Sequence, residues 1–99
     1  MIVVNAKMIT NDENLELLKR EVKSLEIETR KEGGCIDYAF SIEMYEPNIV
    51  RITELWDNLE SLKNHLKTEH VVNFIEAMSV NPTETEAHFY ESNEFPLDF

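Results

Sequence analysis

Ninety-nine residues, 42% of them apolar and spread along the whole chain, make one domain with a core of its own and exclude global disorder. Twenty acidic residues against nine basic ones give a formal net charge of −11, which repels nucleic acid and anionic membrane surfaces alike. One cysteine, Cys35, cannot form an internal disulfide, no basic leader precedes an apolar run, and no stretch approaches the ~20 apolar residues of a membrane span. The expectation is a cytoplasmic protein with no membrane or nucleic-acid partner.

Residues 2–9 are rich in β-branched and apolar types and read as a strand, with Ile2, Val4, Ala6 and Met8 on one face and Val3, Asn5, Lys7 and Ile9 on the other. Thr10-Asn11-Asp12-Glu13 supplies a cap and acidic first-turn residues for a helix over about residues 12–32. Its inner stripe is Leu15, Leu18, Val22, Leu25 and Thr29, with Glu28 and Glu32 on a wet side, and Gly33-Gly34 ends it. Residues 35–44 alternate as a half-buried strand with Ile36, Tyr38, Phe40, Ile42 and Met44 on one face. Glu46-Pro47-Asn48 reads as a turn into a strand over residues 49–56, whose faces are Ile49/Arg51/Thr53/Leu55 and Val50/Ile52/Glu54/Trp56. Asp57 or Asn58 caps a second helix with Leu59, Leu62 and Leu66 inward. A break at Thr68-Glu69 is followed by a further turn or two presenting Val71, Phe74, Ile75 and Met78, ended by Asn81-Pro82. Residues 84–91 form a last strand, Ala87/Phe89 against His88/Tyr90, and residues 92–99 are a tail.

The order β-α-β-β-α-β predicts an α+β ferredoxin-like fold: an antiparallel sheet with both helices on one face, because right-handed crossovers put them on the same side. Several strands carry apolar residues on both faces, so the bare face calls for a second subunit and a two-fold homodimer. In the tail, Phe95, Leu97 and Phe99 alternate around Pro96 and are expected to form an extended arm, across the partner rather than back on the same subunit.

No phosphate-cradling glycine loop, zinc-binding cysteine pair or His-Glu-x-x-His motif is present. Cys35 follows Gly34 at a strand start, where a buried inert thiol is the commoner outcome than a nucleophile. His65 and His70 flank the kink. Five positions apart, they share no ideal helical face, which argues against a simple two-histidine metal grip, although a kink can aim both at one cavity. A positioned imidazole titrates near neutrality and can take a substrate proton; the bland alternative is a solvent-edge histidine. Trp56 serves as core or as an apolar pocket wall with one donor. Asn5, polar in a mostly apolar strand, needs a backbone or ligand partner. Phe74, Met78 and Phe89 fit the core or the wall of the same cavity.

Three segments, IVVNAKM, KEGGCIDYAF and VRITELWDNLESLKNHLKTEHVVNFIEAM, together resemble the antibiotic biosynthesis monooxygenase (ABM) family, which includes small bacterial quinol monooxygenases. The resemblance covers residues 1–91 and rests on Gly34-Cys35 before a strand, Glu54-x-Trp56, and His65-Leu66-x-x-x-His70 ahead of Phe74. It implies a dimeric α+β barrel with a pocket between sheet and helices in each subunit. It also implies oxygenation of anthrones, quinols or related electron-rich aromatics by O2 without metal, flavin or haem. On that reading Asn5, Trp56, His65 and His70 border one cavity between the sheet and the second helix and carry the chemistry. Phe74, Met78 and Phe89 line the substrate, and no cofactor or metal is needed.

Some relatives degrade haem, using an asparagine in the first strand, a tryptophan in the second helix and a histidine iron ligand. Asn5 fits, but His65 and Ile75 stand where the tryptophan and the ligand belong, so haem degradation does not follow. Isomerisation of a phosphorylated signal, another activity among relatives, sits poorly with the acidity. The competing reading from another class is a non-catalytic ligand-binding or stress-associated dimer of the same fold.

Overall fold

The computed structural model describes residues 1–99. Strand β1 (Ile2–Ile9) is followed by helix α1 (Asp12–Arg30), strands β2 (Cys35–Glu43) and β3 (Glu46–Trp56), helices α2 (Leu59–His65) and α3 (Glu69–Met78), and strand β4 (Glu84–Glu91). The four strands form one antiparallel sheet in the order β2-β3-β1-β4. This is the ferredoxin-like arrangement, with the second helix of the plain β-α-β-β-α-β scheme divided in two.

The strand pattern decides which face meets the helices. Ile2, Val4, Ala6 and Met8 pair with Trp56, Glu54, Ile52 and Val50, so all eight point to the helical side. Two apolar clusters fill that side. One joins Ile2, Val4, Leu25, Tyr38, Trp56, Leu62 and Val71; the other joins Ala6, Met8, Leu15, Leu18, Val50, Ile52 and Met78. The opposite face carries Val3, Asn5, Lys7 and Ile9 and is largely open. Every residue of β4 is exposed, Phe89 and Tyr90 included, as are Phe95, Leu97 and Phe99.

Asn11 caps α1, and its side chain and that of Asn14 each accept the other's backbone N–H at 2.9 and 2.8 Å. The free edge of β2 is satisfied from α1: Glu26 accepts the Phe40 N–H at 2.8 Å, and Arg30 donates to the Tyr38 carbonyl at 2.9 Å.

Several local expectations need correction, among them Ile42, Met44 and Leu59, which were expected on inward faces and are exposed. Helix α1 ends at Arg30, before Glu32. The β2–β3 turn is Met44-Tyr45, and Pro47 lies inside β3, where pairing jumps from Glu43↔Glu46 to Ile42↔Val50. Proline is tolerated there because an irregularity needs no ladder N–H. Ile36 lies at the register shift between Cys35 and Asp37 and is exposed rather than inward. Leu66, expected inside, is half exposed; it caps α2, and His65 occupies the buried position at 2% exposure.

Candidate functional site

The break between α2 and α3 builds the site. Thr68 caps α3, accepting the Val71 N–H at 3.4 Å while its hydroxyl donates to the His65 carbonyl at 2.7 Å. This turn redirects the chain, so His65 at the end of α2 and His70 in the first turn of α3 aim at the same point. That point is one carboxylate oxygen. Glu32 Oε2 lies 2.7 Å from His65 Nδ1 and 2.7 Å from His70 Nε2. The objection from five-residue spacing holds for a continuous helix and lapses at a kinked one.

Glu32 was placed by its sequence on the wet side of α1. It stands instead just past the helix end, with its side chain only 15% exposed. The Gly33-Gly34 turn holds it there. Gly34 has φ +89, and a β-carbon on it would overlap the Ser61 side chain and the Asp57 carboxylate. The Gly34 carbonyl accepts the Asp57 N–H at 2.9 Å, which ties the turn carrying Glu32 to the segment that begins α2.

Aromatic rings fix His65. Its ring centroid is 4.7 Å from that of Trp56 and 5.2 Å from that of Tyr38. Trp56 is fully buried, and its indole N–H donates to Glu54 Oε1 at 3.0 Å. Burial pushes the Glu54 carboxyl above the usual carboxylate range and Glu32 adds to it, against the opposing pull of the Trp56 hydrogen bond and of His65. Burial, reinforced by Glu54 and Glu32, also raises the Tyr38 phenol, so it stays protonated. The Cys35 thiol is pushed up by burial and by Glu32, Glu54 and Asp37, which disfavours a thiolate there.

A cleft of about 330 Å3 opens beside this cluster between α1 and α3, lined by Glu21, Leu25, Glu28, Glu69, His70 and Phe74 among others. A second, more apolar cleft of about 290 Å3 lies between α1 and the β2–β3 hairpin, with Leu18, Val22, Phe40 and Val50 in its wall.

Of the residues singled out by sequence, the fold gathers Trp56, His65 and His70. Asn5 is not with them: it is exposed on the far face of β1, between Thr53 and His88, because odd positions of that strand point away from the helices. The single cavity expected to take all four residues is therefore not formed within one subunit. Phe74 borders the first cleft, Met78 is buried in the second apolar cluster, and Phe89 is 60% exposed on β4. Glu32 and Tyr38 join the cluster unannounced, and Glu54, marked in the sequence by its place in Glu54-x-Trp56, joins them through its bond to the indole. For Glu32, its place directly before a double glycine was the one available signal that it lies outside the helix.

The family model for antibiotic biosynthesis monooxygenases matches residues 1–77. Among solved structures, a Deinococcus radiodurans protein carrying the same family description superposes with a TM-score of 0.90 at 26% identity, over 100% of this chain and 99% of that one. A conserved protein from Methanosarcina mazei Go1 gives a TM-score of 0.84 at 33% identity over 93% and 92% of the two chains. Uncharacterized protein YjcS of Bacillus subtilis is 38% identical over 65 residues, which are 65% of this chain and 61% of that relative, so the match spans less than two thirds of its length. With the match to the family model extending over most of its length, the chain belongs to the antibiotic biosynthesis monooxygenase family.

Proposed function

We propose that this protein is a cofactor-independent monooxygenase that oxidises a small electron-rich aromatic, a quinol or an anthrone, with O2. The observation that carries the reading is the single Glu32 oxygen 2.7 Å from both His65 and His70, set beside an aromatic wall and an open cleft. As neutral rings donating to Glu32, His65 keeps its Nε2 lone pair and His70 its Nδ1 lone pair. Each can accept a phenolic or benzylic proton, and the imidazolium so formed faces a carboxylate. His70 borders the cleft and is the group a substrate meets first; His65 is buried behind it. Glu32 positions both rings, and Trp56 with Tyr38 holds His65 in place.

The reaction needs no external reductant. An anthrone loses two hydrogens at its methylene carbon and gains one oxygen as a carbonyl, while the second oxygen atom leaves as water. A quinol likewise gives a hydroxyquinone and water. In both, the substrate anion supplies all four electrons that reduce O2. A cleft of about 330 Å3 is at the small end of the range for ligand pockets and suits a compact aromatic of one to three fused rings.

A homodimer is part of the proposal. The open sheet face, the bare β4 and the exposed Phe95, Leu97 and Phe99 support it, with the tail of residues 92–99 lying as an arm along the partner. A free Cys35 suits the cytoplasm.

Incubating the protein with a panel of hydroquinones and anthrones under 18O2 tests the function. One labelled oxygen per product molecule is the expected result. An aromatic that binds, seen by a change in the fluorescence of Trp56, yet is never oxidised would replace this reading with that of a ligand-binding module.

A further inference from the structure

We propose that Glu32 Oε2, His65 Nδ1 and His70 Nε2 also form a binding site for one divalent transition-metal ion of the zinc or cobalt class. The three ligand atoms come from three separate segments, the turn after α1, the end of α2 and the start of α3, and all lie within 4.8 Å of one another. Two imidazoles and a carboxylate are the donor set such ions take, usually with the remaining positions left to water or substrate. The spacing agrees. Around a centre at about 2.1 Å from each ligand, neighbouring ligand atoms stand about 3.0–3.4 Å apart, for octahedral and tetrahedral angles respectively. The two nitrogens are each 2.7 Å from the carboxylate oxygen, so an opening of a few tenths of an ångström admits the ion in place of the two shared hydrogens.

Two further features favour a cation. The surroundings supply the rigidity of a preformed site: Trp56 and Tyr38 pack on the His65 ring, and the Gly34 turn anchors Glu32. The cleft that leads to His70 is lined by Glu21, Glu28 and Glu69 with no lysine or arginine among its lining residues, although Glu28 is paired with Lys31 at 3.3 Å. An approaching cation is therefore drawn in and a simple anion is not.

Occupancy has a consequence that rests on the oxygenase reading above. The ion takes the nitrogens that now donate to Glu32, fixes both rings on itself and removes the carboxylate that faces them. Metal-loaded protein is then slower in metal-free oxygenation than chelator-treated protein.

The binding claim is tested without reference to turnover. Full-length protein freed of metal by chelator dialysis is titrated with Co2+, following the visible absorption of the ion and the quenching of Trp56, the one tryptophan of the chain. We expect saturation at one ion per subunit, displacement by Zn2+, and affinity at least about tenfold weaker in His70→Ala and in Glu32→Gln. Glu69→Gln, outside the ligand set, should keep the one-to-one stoichiometry. His70 is partly exposed, so its variant is expected to fold even if His65→Ala does not. Non-saturating binding, or a His70→Ala protein that binds Co2+ as the parent does, overturns the site. Tight binding by a protein that oxidises no aromatic would leave the metal site standing and remove only its proposed effect on turnover.

Discussion

Replacing Trp56 by phenylalanine separates the packing of the site from its hydrogen bonding. Trp56 is fully buried, so the smaller ring leaves a void of about 40 Å3, and at about 24 cal/mol per Å3 this costs about 1 kcal/mol. The substitution also strips Glu54 of the donor 3.0 Å away. Glu54 is only partly buried, so this loss sits at the low end of the range for an unpaired acceptor, about 1 kcal/mol. The sum, about 2 kcal/mol, lowers the melting temperature of a domain this size by about 8–16 °C. Urea unfolding followed by circular dichroism at fixed protein concentration is the assay, since the variant has no tryptophan fluorescence. A cycle with Glu54→Leu isolates the bond: Trp56→Phe should be less damaging by about 1 kcal/mol when the carboxylate is already gone. A loss below about 0.5 kcal/mol, or two substitutions that simply add, would refute the claim that Glu54 and Trp56 act as a pair.

The raised Glu54 carboxyl makes stability fall as pH rises: its folded value lies above the 4.5 of an unperturbed group, so the native state holds the proton more tightly, and the effect is complete once pH passes the folded value. Glu54→Gln keeps an acceptor for the indole and should flatten that decline, raising stability at pH 7 relative to pH 4 in parallel melts; an unchanged pH profile would contradict the buried-carboxyl account. Cys35, with its thiol pushed up by burial and three carboxylates, should react with iodoacetamide at pH 7 at least several-fold more slowly than free cysteine, and equal rates would show an accessible, ordinary thiol. Deleting residues 93–99 should weaken the proposed dimer in sedimentation dilution series, whereas an unchanged dimer constant with the tail mobile by NMR would make the arm a loose end.

Strand alternation and helix periodicity carried most of the architecture, because burial on one face imposes a period along each regular element. The failures cluster where a single residue breaks that period. Ile36 continues the alternation on paper but lies where the β2–β3 register shifts. Pro47 looks like a turn residue and sits at a strand irregularity. Leu66 has the right spacing for the core, yet α2 stops at His65, and the imidazole takes the place between Trp56 and Tyr38.

The site was half legible for the same reason. His65, His70 and the kink between them were visible in the chain. Their common partner was not, because Glu32 is 33 residues from His65 and reads as one more solvated glutamate in an acidic helix. Asn5 failed the other way: its polarity in an apolar strand marked it as unusual, but strand parity puts it on the opposite face from the histidines.

Oxygen consumption by chelator-treated protein, on the quinol or anthrone it turns over fastest, tests the Glu32–His65–His70 assembly most directly when parent and variants are compared at equal folded concentration. His65→Ala, His70→Ala and Glu32→Gln are each expected to lower the rate by about tenfold or more, as loss or misplacement of a proton acceptor does, while Cys35→Ala leaves it unchanged. Parent-like oxygen uptake in His65→Ala and His70→Ala alike would show that the imidazoles beside Trp56 take no part in the chemistry.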